Sequence, residues 1–104
     1  MLLHFVKITV TDETSDDDRD HIVASLRAMF DASPEVHFYR IEPGVRQERS
    51  MLVVSGFDDL EAMQRYFEEP LHKTARLLIA KHRATPEPNV IDVIIDKEFE
   101  DLLR

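Results

Sequence analysis

Five histidines are the side chains of this 104-residue chain best suited to general acid–base work at neutral pH. An imidazole titrates near 7 with little environmental help. His4 lies in the apolar run 2–10, and His72 stands two residues past Pro70. His21, His37 and His82, taken with Asp16, Asp17, Asp18 and Asp20, suggest a metal, yet no pair has the spacing of a zinc motif, so no metal site is expected. With no cysteine there is no thiolate nucleophile, no disulfide framework and no Cys-ligated zinc or iron–sulfur centre. That composition suits a reducing compartment, and a cytoplasmic location is the expectation.

The length fits one domain, expected over 1–96 with a short C-terminal extension over 97–104 in which Phe99, Leu102 and Leu103 form a brief helix. Hydrophobic residues at 43% against 33% charged are enough for a packed core. The net charge of −8 has the wrong sign for a phosphate backbone or an anionic membrane, so neither nucleic acid nor membrane is expected as a partner. No run approaches the roughly 18 apolar residues of a membrane span. The run 2–10, broken by His4 and Lys7 and lacking a small-residue cleavage site, reads as structure rather than a signal peptide.

At period two that run divides into Leu2, His4, Val6, Ile8 and Val10 on a core face, with Leu3, Phe5, Lys7 and Thr9 opposite. Ser15 and Asp18 form a capping-box pattern, and three aspartates favour the positive end of a helix dipole. Ile22, Leu26, Met29 and Phe30 make the apolar stripe of the helix that follows, which ends before Ser33-Pro34. Strands at 36–41 and 51–57 are joined by a long charged loop over 42–50 that carries Arg46 and Arg49. Asp58, with Glu61 at the box position, is expected to cap a second helix. Pro70 divides that helix and opens a further segment with Leu71, Ala75, Leu78, Ile79 and His82 on one side. After a Pro-rich linker, 90–96 is the last strand.

The order β-α-β-β-α-β predicts an α+β fold in which one antiparallel sheet carries its helices on a single face. The other face, with Leu3 and Phe5, needs a cover, and an identical sheet from a second chain supplies one. A homodimer is the expected assembly.

The ordering and several local runs resemble the stress-responsive α/β-barrel proteins, the Dabb family of the dimeric α/β-barrel superfamily. The carriers are Leu3-His4-Phe5-Val6-Lys7, the run from Ser55 through Gly56-Phe57-Asp58-Asp59-Leu60 to Met63, and Tyr66-Phe67-Glu68-Glu69-Pro70-Leu71-His72. The last is similar to the family's Tyr-x-x-x-Pro-x-His segment, with Glu69 where many relatives carry histidine. The resemblance covers roughly 1–96 and implies a ferredoxin-like βαββαβ protomer that pairs with a twin to form a dimeric α/β barrel. It also implies acid–base chemistry by two histidines and a tyrosine, as in plant polyketide cyclases, with no metal or organic cofactor. The matching positions are His4, Tyr66 and His72.

On that reading His72 serves as base, while Tyr66 and His4 stabilise an enolate oxygen during an intramolecular aldol condensation. On an unbroken helix Tyr66 and His72 would stand about 120° apart in azimuth, so the break at Pro70 must let them converge. The expected pocket is small and mainly apolar, lined by Val6, Ile8, Ile22, Leu26 and Phe30, and takes a small apolar or aromatic, polyketide-like metabolite. Each residue also has a plain structural role available. His4 can be a core histidine bonded to backbone, Tyr66 an amphipathic core ring, and His72 a packing residue at the helix break. Whether the chain is an enzyme is therefore open at this point. A non-enzymatic stress-associated dimer and a cofactor-free monooxygenase of the antibiotic-biosynthesis type are the other readings.

Overall fold

The computed structural model describes residues 1–85 and 89–95. The expected C-terminal extension, with its helix at Phe99, Leu102 and Leu103, lies outside the described residues. In chain order the elements are β1 (Leu2–Thr9), α1 (Asp16–Ala32), β2 (Phe38–Pro43), β3 (Ser50–Phe57), α2 (Leu60–Phe67), α3 (Pro70–His82) and β4 (Asn89–Ile94). The strands form one antiparallel sheet in the order β2-β3-β1-β4, so β1 lies between β3 and β4. This is a ferredoxin-like α+β fold.

Local chemistry accounts for the element ends. The Ser15 hydroxyl accepts from the Asp18 amide at 3.0 Å, and the Asp18 carboxylate accepts from the Ser15 amide at 3.4 Å. These bonds hold the Asp18 carboxyl below its usual range. Ser33 ends α1, and Pro34 prevents its continuation. The second helix starts one residue later than expected. Asp59, in extended backbone, accepts from the Ala62 amide at 2.9 Å, a cap contributing about 1 kcal/mol. Glu61 therefore misses the box position, and Asp58 pairs with His37 at 2.6 Å.

Pro70 begins α3 at its first turn, and Glu69 before it is extended. The Glu69 carboxylate accepts from Ser33 at 2.8 Å, tying the break to the end of α1. Leu71 falls on the outside of α3, 45% exposed, contrary to the expected stripe. The turn at Pro70 sets the helix phase so that the inward row starts at His72. The hairpin loop is shorter than expected, because β2 runs on to Pro43 and β3 starts at Ser50. A Cβ on Gly44 would stand 2.8 Å from the Gln47 carbonyl, so the loop closes against a bare backbone.

Alternation along β1 sends Leu2, His4, Val6 and Ile8 toward the helices, with Phe57, Ser55, Val53 and Met51 beside them on β3. With Ile22, Leu26, Met29 and Phe30 of α1 and Ala62, Met63 and Tyr66 of α2, they enclose the core. Phe57 and Ile22 are fully buried, each contributing about 1.5–3 kcal/mol by leaving water. On the opposite face Leu3 is buried within the single chain and Phe5 is half-buried, so Leu3 is not the bare residue expected. Its register partner Gly56 has no side chain, and the Phe38 ring fills the space that a Cβ there would take. Leu52, Ile91 and Val93 remain exposed on that face.

Candidate functional site

Strands β1, β3 and β4 and all three helices converge on one cavity of about 550 Å³ between the sheet and the helices. β1 contributes His4, Val6 and Ile8, α1 contributes Leu26, Met29 and Phe30, and Tyr66, Phe67 and His72 come from either side of the Pro70 break. His4, Tyr66 and His72 are thus brought to one cavity, as are the expected lining residues Val6, Ile8, Leu26 and Phe30. Ile22 is the exception. It lies one turn nearer the start of α1 than Leu26, is fully enclosed in the core, and does not reach the cavity wall.

His4 stands directly opposite Asp92 of β4 in the strand register. Its Nδ1 is 2.5 Å from Asp92 Oδ1, and because a carboxylate only accepts, Nδ1 carries the proton. The Nε2 atom then holds the lone pair and has no hydrogen-bond partner among the described residues. The His4 ring meets the Phe67 ring edge-on at a centroid distance of 5.5 Å. Phe67 in turn touches His72 at 5.1 Å, and His72 meets Tyr66 edge-on at 4.7 Å.

The Tyr66 hydroxyl is buried and donates only to the Met29 sulfur, at 3.5 Å. Burial, then the nearby Glu69 charge, pushes its phenol well above the ordinary 10, so it stays protonated. Burial, followed by the charges of Arg76 and His4, lowers the His72 pKa from its ordinary 6.5, with some offset from the Phe67 backbone and Glu68. His72 is therefore neutral at pH 7, and its buried Nδ1 has no partner among the described residues.

Asp92 and Ser55 extend the site beyond the residues singled out from sequence. A signal for Asp92 was present, since alternation along 90–94 puts one acid on an inward face, but its meeting with His4 depends on strand register. Ser55 flanks His4 on the other side, giving a Ser-His-Asp row across β3, β1 and β4. Its hydroxyl is buried, unpartnered and away from the cavity wall, so the row presents no accessible nucleophile. Among the described residues no group of three acidic or histidine side chains is placed to hold a metal, and no helix is long and apolar enough to cross a membrane.

Residues 2–95 match the family described as the stress-responsive A/B barrel domain, and the chain belongs to that family. No curated protein matches the sequence. Among solved structures, the chain is similar to the hydroxynitrile lyase of Passiflora edulis, at 14% identity and a TM-score of 0.80, over 92% of this chain and 94% of that one. A dimeric ferredoxin-like protein of unknown function from Thermobifida fusca is similar at 18% identity and a TM-score of 0.78, over 91% and 92%. SnoaB, a cofactor-independent oxygenase from Streptomyces nogalater, is similar at 11% identity and a TM-score of 0.76, over 92% and 93%. Likeness at these identities establishes a shared fold.

The state of His72 has a consequence for stability. Folding favours its neutral form, whereas the unfolded chain takes up the proton at the ordinary 6.5. Stability from this source is present above 6.5 and is lost as pH falls through the lowered folded value. His72→Gln is expected to lose less Tm than the wild type between about pH 7 and about pH 5. Equal losses in a thermal-melt series would contradict the burial of a neutral imidazole.

Proposed function

We propose that this chain is a cofactor-independent acid–base protein that removes a proton beside a carbonyl in a small aromatic or polyketide-like metabolite. The observation that carries the reading is the His4–Asp92 pair on the same cavity as His72 and Tyr66. Asp92 holds His4 in the tautomer whose Nε2 lone pair is available, which favours His4 over His72 as the base. Proton removal moves negative charge to the carbonyl oxygen, where a neutral donor stabilises it. Tyr66 keeps its proton and has only a thioether to give up, and His72 has an imidazole nitrogen with no competing partner. After the new carbon–carbon bond forms, the His4 imidazolium returns its proton to the product oxygen. The reaction then closes as an aldol cyclisation with no net loss or gain of electrons.

The same base also suits removal of a hydroxyl proton, as in a lyase, and activation of a substrate for oxygen. The named activities of the similar folds are consistent with either. Proton abstraction is the step common to them, so it is the step to test. Acetophenone in deuterated water is a suitable probe, with exchange of its acetyl protons followed by NMR. Wild type is expected to accelerate exchange over buffer, and His4→Ala to lose about a hundredfold or more, with a smaller loss in Asp92→Asn. Exchange that is no faster than buffer, or that is unchanged in His4→Ala, would overturn the reading.

The second part of the proposal is a homodimer closed through the open sheet face. Leu52, Ile91 and Val93 are exposed there, with Phe5 and Val54 half-buried beside them. A second copy presents the same apolar surface, and a two-fold pairing covers both at once. The fold relative from Thermobifida fusca, itself described as dimeric, supports this assembly. Sedimentation at micromolar concentration is expected to show a dimer that dissociates on the paired substitutions Leu52→Glu and Ile91→Glu. A monomeric wild type would contradict it.

A further inference from the structure

Along α3 and its C-cap, His72, Ala75, Arg76, Ile79 and Arg83 recur at helical spacing, and all five line the cavity. Exposed Arg76, on the cavity rim, and half-buried Arg83, at the C-cap of α3, set two guanidiniums beside this cavity in a chain of net charge −8. Three arginines elsewhere have acids to neutralise them, Arg40 with Glu42, Arg49 with Asp12 and Arg65 with Glu35, while Arg19, Arg27 and Arg46 lie away from this cavity. The cavity's own two acids are already engaged. Glu68 pairs with Lys73 at 3.4 Å, and Asp92 with His4. Arg76 and Arg83 are left without a carboxylate partner among the described residues.

Arg83 is also held in place by its backbone. Its residue bridges Val10 at the end of β1, and the neighbouring Ala84 amide donates to the Thr9 carbonyl at 2.7 Å. Arg76 acts on the site itself, since its charge is the second contribution lowering the His72 pKa, after burial. A guanidinium is always charged and presents a planar fork of donors, which suits a carboxylate or another planar anion.

We infer that the ligand of this cavity is an amphipathic acid, whose apolar body lies against Val6, Phe30 and Phe67 while its carboxylate is taken by Arg76 and Arg83. This rests on the cavity being the functional site, as proposed above, and adds the chemical class of what enters it. The carboxylate would be a recognition handle on the α3 side, leaving the carbonyl free to approach His4. An anion there would also occupy the two guanidiniums that now face the cavity unneutralised.

Cinnamate and cinnamamide form the test pair, because they share an aromatic body and differ in charge. By titration calorimetry the wild type is expected to bind cinnamate about tenfold more tightly than cinnamamide. In R76Q combined with R83Q the preference is expected to vanish while cinnamamide affinity is retained. Added sodium chloride should narrow the wild-type preference, a readout that does not depend on the variants folding. Equal affinities in the wild type, a preference insensitive to salt, or a preference that survives in the double variant would each overturn the inference and leave the proton-abstraction reading standing. Failure of both compounds to bind would remove the cavity as a ligand site, and this inference with it.

Discussion

A protonated imidazole nitrogen held against a carboxylate across two antiparallel strands is the contact from which the rest of the site takes its meaning. His4 is on the central strand β1 and Asp92 on the edge strand β4, so the pair exists only in one register. A slip of one residue would turn the whole inward face of β4 toward the opposite side of the sheet. The contact also fixes which nitrogen of His4 carries the proton. Without Asp92, a largely buried imidazole would have no fixed tautomer, and its lone pair could point at either end of the ring.

The helices complete what the strands begin. Because α1, α2 and α3 all lie on one face, the cavity has a sheet floor and a helical roof, and the opposite face keeps its exposed apolar residues. Pro70 redirects the chain between Tyr66 and His72, and the Ser33–Glu69 bond anchors that turn to the end of α1. The result is a chain of touching rings, from Tyr66 to His72 to Phe67 to His4, that spans the cavity. Burial keeps Tyr66 protonated and His72 neutral, so the two groups nearest the break are both uncharged.

Features set by neighbours in sequence were legible in advance. The Ser15 capping box, the stop at Ser33-Pro34, the division at Pro70 and the inward placement of His4 all follow from side-chain period and local backbone chemistry. Features set by partners distant in sequence were not. Asp92 looks like an ordinary polar strand residue until β4 is laid beside β1. On α3, Ala75, Leu78, Ile79 and His82 of the expected stripe do lie toward the protein, but Leu71 is exposed, and His72, Arg76 and Arg83 reach the cavity only because the turn at Pro70 sets the helix beside it. Ile22 and Leu26 belong to one stripe, yet only Leu26 reaches the cavity, because the cavity lies toward the later turns of α1. Asp58 and Asp59 are equally good caps by composition, and the backbone angles at Asp59 decide between them.

The central claim is that Asp92 fixes His4 with its proton on Nδ1 and its lone pair on Nε2. Long-range nitrogen–proton correlation NMR of the imidazoles reads that state directly at neutral pH. The account predicts the Nδ1–H tautomer for His4 in the wild type and a mixture of tautomers once Asp92 is replaced by alanine. A His4 ring carrying its proton on Nε2 in the wild type would contradict it.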